Sequence, residues 1–442
     1  MRLPLPSKLA TGLGLALIAA LACSSGESFS GIAENADIIV VTLDTVRADR
    51  IGGYGYEPAM TSEIDGFLDQ AVVFEEAHVT RALTEPSLAS MWTGLYTYQH
   101  GVVANGYQAL DPMPHDLVRA LKKAGYTTHA IAANGCKVFR QFDWDSMKCI
   151  QNQDSRVIDE ARQILDQEAS QPRLVWLHLF AGHGPYNSGR GHAKRSFPNY
   201  KGQAAGGKAA LDQLSRSKEV SEEDLAYLQA RYDGSLHQLD TRLGRLFAVL
   251  DSNKVVVLAA DHGEELGDHD SYFFHACSTY RAGLRVPLAI RVPGIQPRRV
   301  RRMVELRDLA TTILDVVGVE AEVAGQNILD PKSRTPATYS AFDTYPIWTV
   351  QDSGWRLVVN PENVALRCFP GADFGAMAIA EVELYRLADD PNEQTNLADQ
   401  LPDQVAAMRS KLEAWSGYGR ASQKQDLDEQ TRKELEALGY VN

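Results

Sequence analysis

The sequence predicts an α/β protein, with a mainly parallel sheet flanked by helices and a smaller C-terminal α+β subdomain. Three observations predict it. Short apolar runs rich in β-branched residues occur at Asp37 to Leu43 (DIIVVTL), Leu174 to Leu179 and Val255 to Ala260, the pattern of strands buried on both faces. Segments with helical apolar spacing alternate with them, as a parallel sheet requires. After Pro287 the pattern changes to strands of antiparallel type.

In chain order, Arg2 and Lys8 accompany an apolar run from Leu9 to Ala22, which is short for a membrane span, and Cys23 follows. This reads as an export signal over residues 1–22. Ala20 and Ala22 before Cys23 suit a bacterial lipoprotein cleavage site, so Cys23 is the expected lipidation point. Residues 23–36, small and polar, read as a flexible tether. The expected location is the bacterial cell envelope, exported, with the membrane reached through the N-terminal lipid anchor.

A main domain is expected over residues 37–330. Within it Ile64 to Ala71, Leu88 to Tyr96 and Leu117 to Ala124 read as helices, and Thr127 to Ala132 as a strand. Ser221 to Leu250 opens with Glu222, Glu223 and Asp224 and keeps helical spacing through Leu225, Leu228, Tyr232, Leu236 and Leu239. Ser188 to Val220, with several Gly and Ala and seven Lys or Arg residues, reads as a mobile loop, either a lid over an anionic substrate or a solvated excursion. The basic run Pro297 to Arg302 (PRRVRR) reads as a solvated connector, and Val304 to Val319 as a strand end leading into a helix. The C-terminal subdomain and tail, residues 331–442, are expected to hold strands within Thr338 to Leu366 and Glu381 to Leu387 and a helix from about Gln404 to Trp415.

A chain of 442 residues that is 44% hydrophobic and 23% charged has the composition of a globular enzyme. Its formal net charge of −13 argues against a nucleic-acid partner, which would need a basic face. Beyond Cys23 the cysteines are Cys136, Cys149, Cys277 and Cys368, compatible with one or two disulfides in an exported protein. No C-x-x-C pair is present, so a structural zinc site is not expected.

Chemistry concentrates at strand ends. Asp44 ends the first apolar strand, and Asp261-His262 end a later one. A charged group that follows a buried strand must find a partner or a cation, so these residues suit an O,O,N cage for a divalent ion. Thr84 stands on a Pro-containing turn just before a helix. It is either a helix cap or a hydroxyl nucleophile activated by the helix dipole and an adjacent metal.

VTLDTVRADRIGGYGY (Val41 to Tyr56), TEPSLASMWTGLYTYQHGV (Thr84 to Val102), HLFAGHGPY (His178 to Tyr186), DHGEELGDHD (Asp261 to Asp270), HACSTYRAGLRVP (His275 to Pro287) and ELYRLADDPNEQTNL (Glu383 to Leu397) occur in this order. With them the chain resembles the sulfatase family of the alkaline phosphatase superfamily from about Asp37 to Trp415. The resemblance implies an alkaline-phosphatase-like fold. It implies Asp44, Thr84, Asp261 and His262 as metal ligands, Thr84 as nucleophile, and His183 and His275 as residues that contact the substrate or protonate the leaving group. Arg47 would organise the loop after Asp44. His178 reads as a packed or hydrogen-bonded strand residue, with direct involvement in the site as the lesser alternative, His100 as structural, and His269 as a loop-stabilising residue, with metal ligation as its lesser alternative.

Four departures redirect the chemistry. Sulfatases oxidise a cysteine or serine to formylglycine, and threonine cannot yield that aldehyde because its β-carbon bears a methyl group. Leu88 stands in place of the arginine of the maturation motif, and Thr45 in place of a second aspartate. The lysine and histidine expected after GYTT are absent, with Asn134 and Lys137 as stand-ins. The expected activity is therefore metal-dependent hydrolysis of a phosphoester or phosphonate ester, less readily a sulfate ester, on a small-molecule, lipid-headgroup or glycan substrate. A headgroup phosphotransferase and a non-catalytic binder of anionic glycans or lipids are the alternatives. One divalent ion is expected, Mn, Zn or Ca. The site offers fewer carboxylates than calcium prefers, whereas manganese or zinc suits Asp, Asp, His and a hydroxyl.

Overall fold

The computed structural model describes residues 29–108, 115–217, 219–275, 279–342, 346–363 and 379–419, with Glu429 and Lys433. Fourteen strands are described: β1 Ile38–Leu43, β2 Val72–His78, β3 Thr127–Ala132, β4 Ser146–Cys149, β5 Arg173–Leu179, β6 Val255–Ala260, β7 Glu265–Leu266, β8 Tyr272–Phe274, β9 Arg285–Arg291, β10 Arg298–Glu305, β11 Thr338–Phe342, β12 Ile347–Asp352, β13 Trp355–Val359 and β14 Val382–Arg386. Eight of them form one sheet in the order β10-β2-β9-β6-β1-β5-β3-β4. Only β9 runs against its neighbours, so the sheet is mainly parallel as expected.

Every residue of β1, β5 and β6 is buried, which is why these segments are apolar without alternation. β1 lies at the centre, with β6 on one side and β5 on the other, in a register that pairs Leu43 with both Ala260 and Leu179. The carboxyl ends of the three strands therefore meet at one place, the usual ligand position of such sheets. The 26-residue helix Glu222–Phe247 packs across one face, and its start carries a capping box between Ser221 and Asp224.

A second, antiparallel sheet β11-β12-β13-β14 and the helix Pro402–Ala414 make the smaller C-terminal unit. It packs around Trp348, Val350, Leu357, Leu384, Met408 and Trp415.

Three expectations change. The 188–220 region is built, not loose: helices Arg190–Ser196 and Lys208–Ser217 enclose a local core of Ala193, Ala204, Leu211, Leu214, Tyr227 and Leu228. Its small residues and cations hid a helical pattern. PRRVRR is no connector, because Arg298 to Arg302 belong to edge strand β10. An edge strand with one open side tolerates several arginines, which help it resist edge-to-edge pairing. The helix expected from Leu88 starts at Thr84 and ends at Thr93.

Of the cysteines, Cys136 and Cys149 form a disulfide, and Cys277 and Cys368 lie outside the described residues. So do the expected export signal and Cys23. From Phe29 the chain already packs on the body: the Gly31 and Ala33 amides donate to Asp315 O and Val316 O at 2.8 and 3.0 Å. Among the described residues no helix is long and apolar enough to cross a membrane.

Candidate active site

The strand ladders carry the site residues directly. The Asp44 amide donates to Leu179 O at 2.8 Å, and the Asp261 amide to Leu43 O at 3.1 Å, so both aspartates continue the hydrogen bonding of the sheet. Thr84 is the first helical residue of Thr84–Thr93, with Leu83 at the cap position, so it does not cap the helix. Its Oγ1 lies 3.3 Å from His262 Nε2 instead. Gly135, at φ +63°, closes on the other side, where a Cβ would sit 3.2 Å from Thr84 Cγ2. Gly182 lets the His183 loop lie on Asp44, since a Cβ there would meet Asp44 O at 2.5 Å.

Asp44, Asp261 and His262 place ligand atoms within 4.8 Å of one another, all fully buried. His262 Nε2 lies 3.7 Å from Asp44 Oδ1 and 3.5 Å from Asp261 Oδ2. Its Nδ1 lies 2.9 Å from Gly263 O, which fixes the N–H there and turns the Nε2 lone pair toward the carboxylates and Thr84. Asp44 Oδ1 and Asp261 Oδ2 have no hydrogen-bond partner.

Burial opposes ionisation of Asp44, yet the imidazoles of His178, His183 and His262 hold its carboxyl below the ordinary carboxylate range. Asp261 goes the other way: burial, then the Asp44 charge, raises it well above its ordinary value. Two desolvated carboxylates side by side cannot both ionise without a positive charge between them. The orphaned oxygens and the His262 lone pair thus fit a divalent cation, with Thr84 Oγ1 as a further oxygen.

His183 and His275, the two expected acid or contact residues, both border this cage. The His183 ring is 4.9 Å from that of His275, which is 4.5 Å from that of His262. His183 Nδ1 is held by Gly184 O at 2.7 Å and its ring stacks on Phe180. His275 Nδ1 is held by Glu264 Oε1 at 3.1 Å. Burial lowers His275 to about 3 and raises Glu264 to about 8, so the pair is neutral near pH 7. Glu264 was not singled out by sequence, although its place two residues after His262 was a signal.

The supporting residues follow their expected parts. Arg47 pairs with Asp49 at 2.7 Å and reaches Glu264 O at 3.0 Å, which makes it a loop organiser. Tyr232 clamps the same loop, donating to Thr45 O at 2.8 Å and accepting from the Arg47 amide at 3.0 Å. Thr45 sits at φ 59°, a strained conformation for a β-branched residue. Asn134 donates to Asp44 Oδ2 at 2.9 Å. His100 is bound between Ser90 Oγ and the Val102 amide, and His269 stacks on Tyr280 at 3.5 Å; neither joins the cage.

A covered α/β sheet with two buried acids, an imidazole and a hydroxyl gathered at its central strand ends has the layout of a hydrolase site. The chain belongs to the sulfatase family, whose model, described as Sulfatase, matches residues 36–319. It is a sulfatase-like hydrolase acting on ester bonds. Arylsulfatase K of Rattus norvegicus is 22% identical over 93% of this chain and 83% of its own length. A sulfatase of Escherichia coli, YidJ, described as uncharacterized, is 24% identical over 85% of each chain. The solved phosphonate monoester hydrolase of Agrobacterium radiobacter superposes with a TM-score of 0.65 at 17% identity, over 86% of this chain and 95% of that one, a likeness of fold.

Proposed function

We propose that the chain hydrolyses a phosphodiester or phosphonate monoester with Thr84 as nucleophile, and that no formylglycine forms. The observation that carries this is Thr84 Oγ1 at 3.3 Å from His262 Nε2, beside the orphaned oxygens of Asp44 and Asp261. A secondary alcohol so placed cannot become an aldehyde, but it can be an alkoxide.

Asp44, Asp261, His262 and Thr84 would hold one divalent ion. Bound there, it supplies charge that lowers the hydroxyl pKa and neutralises phosphoryl oxygens. Thr84 loses its proton to water, its oxygen forms the bond to phosphorus as the bond to the ester oxygen breaks, and His183 hands that oxygen a proton, with the neutral His275 as a contact beside it. Water then cleaves the phosphothreonine. Phe180 stacked on His183, and the Gly135 approach to Thr84, hold both side chains in place and limit water. Transfer to an acceptor alcohol in place of water is the rival reaction.

The test is turnover of bis-p-nitrophenyl phosphate, a phenylphosphonate ester and p-nitrophenyl sulfate with Mn, Zn and Ca. Diester or phosphonate turnover with little sulfate turnover supports the proposal. Robust sulfate hydrolysis sinks it, and ligand binding without turnover supports the non-catalytic reading. We place the protein in the bacterial envelope, anchored through Cys23. Detergent-dependent release that persists after Cys23→Ala would contradict that placement.

A further inference from the structure

His178 is the one imidazole near the cage whose role the proposed chemistry leaves open. It is fully buried on β5, and its ring is locked from behind. Thr42 Oγ1, its neighbour across the β1–β5 register, donates its single hydrogen to Leu177 O at 3.2 Å. The same oxygen accepts the Trp176 Nε1–H at 3.0 Å and lies 2.9 Å from His178 Nδ1. Where the Thr42 hydrogen goes to Leu177 O, Nδ1 is the donor and the neutral ring keeps a free lone pair on Nε2.

That nitrogen has no hydrogen-bond partner. It faces Asp44 Oδ2 at 3.7 Å and Asp261 Oδ2 at 4.0 Å, both too long for a hydrogen bond. A lone pair turned on two buried carboxylates is repulsive unless positive charge lies between them. Two atoms that share an ion at roughly 2.0–2.2 Å stand at most about 4.3 Å apart, and both separations fall inside that limit. Asp44 turns one oxygen to each imidazole, Oδ1 to His262 and Oδ2 to His178. Asp44, Asp261 and His262 form the tightest cage, and His178 stands at its edge on the Oδ2 side.

We infer that His178 is a second nitrogen ligand of the cation. It makes up for the carboxylate that Thr45 lacks, whose own Oγ1 is buried without a partner. The inference rests on the cation site proposed above and sharpens it. Exchanging an anionic oxygen for a neutral nitrogen moves the preference from calcium toward zinc, manganese or cobalt. The competing role for His178 is an imidazolium counter-ion to the two aspartates. The two roles differ in sign: removal of a ligand weakens cation binding, whereas removal of a buried positive charge strengthens it.

The experiment is proton NMR of the unaltered protein loaded with Co(II), in which each ligated histidine gives one strongly shifted, exchangeable N–H resonance. Two are expected, from the Nδ1–H groups of His178 and His262. Competitive dialysis of Co(II), Zn(II) and Ca(II) against His178→Gln is the companion measurement. The variant should lose one resonance and bind Co(II) and Zn(II) about 100-fold more weakly, with calcium changed less than about threefold. A single resonance in the unaltered protein, or equal or tighter cobalt binding by the variant, overturns the role of His178 and leaves the cation site standing. Failure of the unaltered protein to bind Co(II) overturns both.

Discussion

Two regions of this molecule bury charge, and they do so in opposite ways. Where the C-terminal sheet meets the large one, carboxylates stand beside guanidinium groups or hydroxyl donors of the chain. Arg356 Nε pairs with Glu393 Oε1 at 2.9 Å, Arg281 with Glu76 at 2.8 Å, and Tyr280 donates to Glu383 at 2.9 Å. At the ends of β1 and β6, Asp44 and Asp261 are fully buried side by side, with imidazoles and, among the described residues, no guanidinium or ammonium group against them. The first region balances charge within the chain; the second leaves two acids whose balance fits a bound cation. Depth of burial does not separate the two regions, but charge balance does.

The sharpest way to break that distinction is at the hydroxyl. Thr84→Ala should reduce kcat/KM for a phosphodiester by about 1,000-fold or more, with thermal stability within a few degrees of the parent. A loss below tenfold would remove Thr84 from the chemistry. The opposite region should respond in the opposite sense. Arg356→Met leaves buried Glu393 without its guanidinium, with only the Arg281 amide on Oε2, and should cost about 3–5 kcal/mol in urea denaturation, while kcat per folded molecule stays within about twofold.

Chelation gives a smaller effect that should map to one region only. A cation at 100 times its dissociation constant should add about 2.7 kcal/mol over the stripped protein. That increment should vanish in Asp261→Asn and persist in Arg356→Met. The smallest effect is in pH. Glu264 is raised from 4.5 to about 8, so its contribution to stability is full below about 4.5 and is lost as pH rises through about 8. His275, lowered from 6.5 to about 3, contributes fully above 6.5 and loses it as pH falls through about 3. Between pH 6.5 and 8 the His275 contribution is constant while the raised Glu264, with the raised Asp261, loses stability, so the stripped protein should weaken with pH there, and Glu264→Gln should lessen the slope.

The cage was legible because Asp44 and Asp261-His262 each follow a strand with no other polar end, so their charges advertised a ligand. Thr84 was legible through its motif, although its helix begins four residues earlier than the apolar spacing of Leu88 suggests. His178 was not, because a histidine inside an apolar strand looks like core until the register places it beside Thr42 and the two carboxylates. The arginines of β10 misled for the same reason in reverse: sequence cannot show that their strand has an open edge. The pairing of Cys136 with Cys149, likewise, needed β4 beside β3.

The central claim is that residue 84 carries the phosphoryl group in mid-reaction. Rapid acid quenching during turnover of a slow phosphodiester, followed by peptide mass spectrometry, tests it directly. The account predicts a phosphoryl group on Thr84, absent when the cation is chelated. Steady turnover with Thr84 unmodified at every quench time, or an equal yield of modified Thr84 after chelation, would contradict it.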